Sequence, residues 1–297
     1  MSITQMLRAQ GLDRVQGRVL VVVAGILWSL AGVFIKLLAL HPLTIVFYRS
    51  LFAALFFSLF IRRQRWTLSL PLFASMASYT AAISSFVWAN KLTTAANAII
   101  LQYTAPIFVF VFVRLLFREP IKRLDLTTLL FGMIGLAIIF SGNRGGADAE
   151  GVMVALLSGF LFSLYMVNLR FLRRLSPAFL TFMNNLACSL ILLAVVKSLH
   201  LSWREAVALL IMGVVQLGIP YFLFSKGLET IPVQEASLIV LIEPVLNPAW
   251  VALAVGEIPS QATFVGGGFI VGSLAVRYLW LALHRPIPPK APRGPSY

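Results

Sequence analysis

The chain has 297 residues, 60% of them apolar and only 11% charged, against about 25% charged in an ordinary soluble domain. That excludes a water-soluble surface, and the long apolar runs, each near the ~20 residues a helix needs to cross ~30 Å of hydrocarbon, indicate an all-α polytopic membrane protein. The formal charge of +14 sits in short clusters between apolar runs and not on one face of a folded domain, so it argues for membrane topology and against a nucleic-acid partner.

Ten spans follow in order, at about 18–39, 43–61, 69–90, 94–117, 124–141, 149–170, 177–197, 205–226, 233–255 and 262–283. A cytoplasmic tail (1–17) precedes them, and a Pro-rich cytoplasmic tail (284–297) follows. The first span begins after Arg8, Arg14 and Arg18 but lacks a small-residue cleavage site, so it reads as a structural helix and not a secretory signal. Its internal copy supports that. Gly25 to Lys36, GILWSLAGVFIK, aligns without gaps on Gly159 to Arg170, GFLFSLYMVNLR, in span six.

A second duplication sits further on. Ile99 to Glu119, IILQYTAPIFVFVFVRLLFRE, matches Ser237 to Glu257, SLIVLIEPVLNPAWVALAVGE, at a constant offset of 138 residues that puts Pro106 on Pro244 and Glu119 on Glu257. The chain therefore divides into a repeat at 18–141, a linker at 142–148 rich in Gly and acid, and a repeat at 149–283. Five spans per half is an odd number, so the second copy enters the membrane from the opposite face, as in inverted-repeat transporters. With the N-terminus inside, 18 of the 24 Lys and Arg residues fall on the inner side, five on the outer side, and Arg49 within a span. Lys and Arg are retained in cytoplasmic loops, so both termini are expected in the cytoplasm.

Glu243 lies about ten residues, or ~15 Å, into span nine. A carboxyl near the midplane costs ~2.5 to 3.5 kcal/mol or more on insertion scales and needs a cavity or a partner. It reads as a proton carrier, as a ligand for a substrate ammonium group, or as a structural acid that satisfies backbone groups freed by Pro244. Pro106, Pro244 and Pro248 each remove a backbone donor and release a carbonyl one turn earlier, which marks either hinges or helix breaks at the repeat interface or simple kinks for packing. Arg49 enters span two by about seven residues, or ~10 Å; a buried ion pair, a clamp on a substrate carboxylate and a snorkelling side chain all fit it. Trp28, Ser29, Tyr79, Gln102, Tyr103, Tyr165, Gln216, Tyr221, Asn247 and Trp250 form a mid-span polar and aromatic set suited to a small amphipathic or aromatic solute. Glu243, Asn247 and Trp250 have apolar counterparts (Ala105, Val109 and Phe112) in the other half, which makes them the candidates for solute recognition within their stretch. Gly268 and Gly272, in GFIVG, allow close helix approach, either within the bundle or across a homodimer seam.

Lone Cys188 cannot support a disulfide framework. There is no GxxxxGK[ST] loop, no HExxH, no paired-histidine spacing and no dinucleotide fingerprint, so neither a metal nor a cofactor is expected. An integral membrane enzyme or receptor is the rival of another class. The lack of a catalytic cluster and the inverted duplication argue against it.

Two five-span halves, each ending in Pro-x12-Glu, and the LWSLAGVFIK-type first helix resemble the drug/metabolite transporter superfamily in its ten-span EamA-like branch. Within it, the chain is similar to bacterial exporters of aromatic amino acids. The resemblance implies a basket-like bundle in which spans one to four and six to nine surround a central cavity, with spans five and ten at the sides. It also implies efflux across the inner membrane. The inverted halves point to alternating access, and the one buried carboxylate, Glu243, fits proton antiport and facilitated diffusion equally. A multidrug exporter of cationic aromatic compounds is the alternative within transport. Phe117 and Arg118 precede Glu119 where the second half has Val255 and Gly256, a departure from close helix contact in the first half.

Overall fold

The computed structural model describes residues 3–61, 68–93, 95–142, 149–196, 199–255 and 261–283, and the regular structure in them is entirely helical. The α-helices are α1 (Ile3–Trp28), α2 (Ala31–Leu37), α3 (Pro42–Ser58), α4 (Leu70–Leu92), α5 (Ala95–Gln102), α6 (Ala105–Phe117), α7 (Arg123–Gly142), α8 (Ala149–Asn168), α9 (Pro177–Leu193), α10 (Trp203–Ile211), α11 (Ile219–Gly227), α12 (Val233–Ile239), α13 (Glu243–Val255) and α14 (Gln261–Leu283). A π-helical stretch, Met212–Gly218, joins α10 to α11. A 3₁₀ turn, Val240–Ile242, joins α12 to α13.

Among the described residues, eight segments are long and apolar enough to cross a membrane: Asp13–Ile35, Leu70–Leu92, Asn97–Phe117, Arg123–Gly142, Ala149–Leu172, Trp203–Gly227, Val233–Ala254 and Gln261–Leu281. The remaining two expected spans are the shorter apolar helices Pro42–Ser58 and Pro177–Leu193, each about 25 Å long at 1.5 Å per residue. The first helix begins at Ile3 and not near 18, because Gln, Met, Leu, Arg and Ala, which are strong helix formers, outnumber Gly11 and Gly17 in that stretch. The linker at 143–148, the tail at 284–297, Arg62, Arg63, Arg65, Trp66, Lys197 and Glu257 lie outside the described residues.

Helix starts follow local chemistry. His41 Nδ1 accepts from Leu43 N–H ahead of Pro42, and Ser176 Oγ accepts from Phe179 N–H ahead of Pro177. Ser202 and Glu205 close a capping box at α10, satisfying amides that have no helical acceptor. The interruptions follow proline. Pro106 is the second residue of α6 and Pro244 the second of α13, so the chain breaks at Tyr103–Thr104 and at Val240–Ile242, equivalent places in the two halves. Pro248 lies inside α13, which continues through it. A further break, at Ser29–Leu30 between α1 and α2, involves no proline.

The helices pair across the halves: α4 with α8 and α1 with α11, α3 with α9, α7 with α14, and the first helix of each half with the broken helix of the other. Exchanging the halves maps this set onto itself. Glycine permits the closest of these approaches. A Cβ on Gly159 would meet the Gln102 carbonyl at 2.6 Å, and one on its repeat partner Gly25 would meet Ile242 Cγ2 at 3.1 Å. The Gln102 carbonyl is the one that Pro106 deprives of its helical donor. On the side of the bundle, Gly135 and Gly266 let α7 and α14 touch backbone to backbone, with each carbonyl 2.4–2.5 Å from where the other's Cβ would stand.

Filling either contact must push backbone aside. Gly159→Leu and Gly135→Leu are each expected to destabilise by about 1–3 kcal/mol or more, read as a fall in thermal midpoint in detergent.

Candidate functional site

The breaks bring polar groups to the centre of the bundle. A small cavity there, with a volume of about 30 Å³, is lined by Trp28 and Ala31 from the first span, Arg49 from α3, Ile83 and Phe86 from α4, Gln102 at the end of α5, Phe162 from α8, Gln216 and Leu217 from the π-helical stretch, Tyr221 from α11, and Glu243 at the start of α13. That is room for about one water. Both halves contribute to the wall.

Its charged groups differ in their partners. Glu243 Oε2 accepts a hydrogen bond from the Tyr103 hydroxyl, which reaches it across the gap between the two broken helices. Arg49 is 1% exposed, its Nε has no hydrogen-bond partner, and no carboxylate among the described residues pairs with it. A buried guanidinium left so is costly unless an acceptor can meet it. The Gln216 amide Nε2 donates to the Trp28 carbonyl over 3.3 Å, while its Oε1 is buried without a donor. Gln102 Nε2 donates to Ser158 Oγ over 3.0 Å.

Aromatic rings form the apolar part. Trp28 contacts Tyr221 with centroids 4.8 Å apart and Phe162 at 5.9 Å, both edge to face. Behind them, Tyr79 packs on Tyr221 at 4.7 Å and on Tyr165 at 5.4 Å. The Tyr79 hydroxyl donates to Asn185 Oδ1 over 2.9 Å.

Of the twelve expected cavity residues, Trp28, Arg49, Gln102, Gln216, Tyr221 and Glu243 reach the lining. Tyr79, Tyr103 and Tyr165 stand one layer behind. Ser29, Asn247 and Trp250 together hold the break after α1. Asn247 Nδ2 donates to the Ser29 carbonyl over 2.7 Å, Trp250 Nε1 donates to Ser29 Oγ over 2.8 Å, and Ser29 Oγ donates to the Ile26 carbonyl over 2.6 Å. Within its stretch only Glu243 faces the cavity. Sequence reasoning missed Ala31, Ile83, Phe86, Phe162 and Leu217. A signal for Phe162 was present, since the internal match of GILWSLAGVFIK on GFLFSLYMVNLR pairs it with Trp28.

At the end of the bundle where α7 and α12 start and α8 and α14 finish, ionic groups tie the halves together. Arg18 Nε donates to Glu235 Oε1 over 2.7 Å. Buried Arg277 donates to the same oxygen over 3.3 Å and to Asp125 Oδ1 over 2.8 and 3.1 Å. Beside them, Arg170 donates to Glu119 Oε1 over 2.6 Å, Gln234 donates to Glu119 Oε2 over 3.0 Å, and the Arg170 guanidinium lies 4.0 Å from the Phe117 ring centre. Arg170 holds the carboxyl of Glu119 below the ordinary glutamate range, partial desolvation opposes it, and Gln234 adds to the lowering.

An all-helical bundle with eight membrane-length helices and a polar pocket enclosed by both halves defines a polytopic membrane protein of the solute-carrying kind. The EamA-like transporter family model matches residues 15–141 and 149–279. The chain belongs to that family, within the drug/metabolite transporter superfamily, and is a membrane transporter. It is 28% identical over 272 residues to an "uncharacterized transporter" of Archaeoglobus fulgidus, covering 88% of this chain and 96% of the other. Similar proteins are an "uncharacterized transporter" of Clostridium kluyveri (24% over 209 residues, 66% of this chain and 67% of the other) and "uncharacterized transporter YdfC" of Bacillus subtilis (26% over 197 residues, 64% of each). A solved crystal structure shares the fold with a TM-score of 0.76 at 19% identity, over 91% of this chain and 99% of that one.

Two expectations follow from this geometry. Tyr103→Phe leaves the buried Glu243 oxygen without its donor and is expected to lower stability by about 1–3 kcal/mol, measured by thermal unfolding. Because the Glu119 carboxyl is lowered in the folded protein, its contribution is fully present above about pH 4.3 and is lost as pH falls through the folded value. Arg170→Gln should therefore narrow the stability difference between about pH 6 and about pH 3 relative to the wild type.

Proposed function

We propose that this transporter exports aromatic or other small amphipathic amino acids and related metabolites across the inner membrane, with both termini in the cytoplasm. The observation that carries the reading is a single ring-lined cavity bordered by both a buried guanidinium, Arg49, whose Nε has no hydrogen-bond partner and with which no carboxylate among the described residues pairs, and a carboxyl, Glu243. A zwitterion brings the complementary pair. Its carboxylate meets Arg49, where a charge-assisted contact is strong out of water, and its ammonium approaches Glu243 and the faces of Trp28 and Tyr221. The same acid, held by Tyr103, is the group on which a proton can be exchanged for the solute.

Ten spans in two inverted repeats give this site two equivalent ways out. The reciprocal pairing of helices across the halves supports that arrangement, as do breaks at equivalent places beside the cavity, since discontinuous helices at a repeat interface are where such transporters hold solute. A cavity of about 30 Å³ is too small for an amino acid, so loading requires the halves to rock apart. The ionic belt of Arg18, Glu235, Arg277, Asp125, Arg170 and Glu119 lies on the side assigned to the cytoplasm and closes it until the halves move.

An exporter of cationic aromatic drugs is the second reading, favoured by Glu243 among rings. It has no use for Arg49. The two separate in liposomes containing only this protein, loaded with labelled phenylalanine or with tetraphenylphosphonium. Phenylalanine flux is expected, falling about tenfold or more in Arg49→Ala, the worth of one lost charged hydrogen bond. Tetraphenylphosphonium flux that survives Arg49→Ala, with no phenylalanine flux in the wild type, would establish the drug reading. Glu243→Gln is expected to flatten the pH dependence of transport; an unaltered profile removes the proton from the mechanism.

A further inference from the structure

Outside the Gly135–Gly266 contact, α7 and α14 leave an apolar groove of about 660 Å³ on the flank of the bundle. Leu124, Phe131, Phe264 and Phe269 wall it, and Gly268 and Gly272 open it. A Cβ added at either of these glycines meets nothing within 4 Å, so they play no part in packing within the bundle. Along α14 the lining runs from Phe264 to Arg277, or about 20 Å at 1.5 Å per residue. That is long enough for an acyl chain of one leaflet, whose hydrocarbon is ~15 Å deep.

That volume, spread over that length, makes the groove wide enough for a hydrocarbon chain. One end of it is marked by charge. Exposed Lys122 and Arg123 stand immediately before Leu124, whereas Arg277 at the same end is already neutralised by Asp125 and Glu235. Basic residues at the membrane surface attract anionic headgroups.

We propose that this groove is a binding site for an anionic phospholipid, with one acyl chain lying over Gly268 and Gly272 and the headgroup phosphate against Lys122 and Arg123. Native mass spectrometry of the full chain, released from detergent with dioleoyl phosphatidylglycerol or dioleoyl phosphatidylcholine, tests it. Phosphatidylglycerol should be retained at least fivefold more strongly, with each of Lys122→Gln and Arg123→Gln costing about fivefold. Gly268→Leu/Gly272→Leu fills open space, so its thermal midpoint should match the wild type while retention of phosphatidylglycerol is lost. Equal retention of the two lipids, or undiminished retention by the double leucine variant, overturns the proposal. So does a wild-type dimer in phosphatidylglycerol nanodiscs that the double leucine variant dissociates, because the groove would then belong to a second copy.

Discussion

Within hydrocarbon a backbone carbonyl that loses its helical donor has no water to turn to. Pro106 and Pro244 each create such a carbonyl in the middle of a span, and much of the bundle is arranged around answering for it. The Gln102 carbonyl lies against the backbone of α8 at Gly159, and the Val240–Ile242 turn lies against α1 at Gly25. Each half thus accommodates the broken helix of the other. The arrangement is mutual, and neither half would hold its break open without its partner.

That mutual docking has a geometric result. A break forces the chain ends on either side to separate, and the space between α5 and α6, and between α12 and α13, is where Gln102, Tyr103 and Glu243 turn inward. The Tyr103–Glu243 hydrogen bond links the two breaks directly. Polar chemistry is gathered at the one depth where regular helix could not have presented it. The ionic belt does the complementary task at an end of the bundle, where Arg170 and Glu119 remain partly hydrated, while buried Arg277 has its desolvation offset by two carboxylates, Asp125 and Glu235.

How much of this was legible depended on whether a residue's signal lies in its type or in its direction. Pro106 and Pro244 are rare inside apolar runs and recur at a fixed offset, so both breaks could be read from the letters, and Glu243 and Arg49 stood out for the same reason. Direction is another matter. Asn247 and Trp250 occupy the expected depth but turn toward Ser29, one helix face away from the cavity. Phe86 and Ile83 line the cavity yet look like any apolar residues in an apolar span. The belt was illegible because its pairs are made by the fold: Asp125 and Arg277 are 152 residues apart, and Arg18, Arg170 and Arg277 counted in sequence only as markers of sidedness.

Cys188 adds a practical property. It is the only cysteine in the chain, it is wholly buried, and the Ser50 hydroxyl beside Arg49 donates to its sulfur over 3.4 Å. A thiol shielded in this way is a silent background for chemistry at the surface. Paired reporter cysteines could be introduced on the two halves without first deleting the native one, so spectroscopic distances could follow the molecule with its natural interior intact.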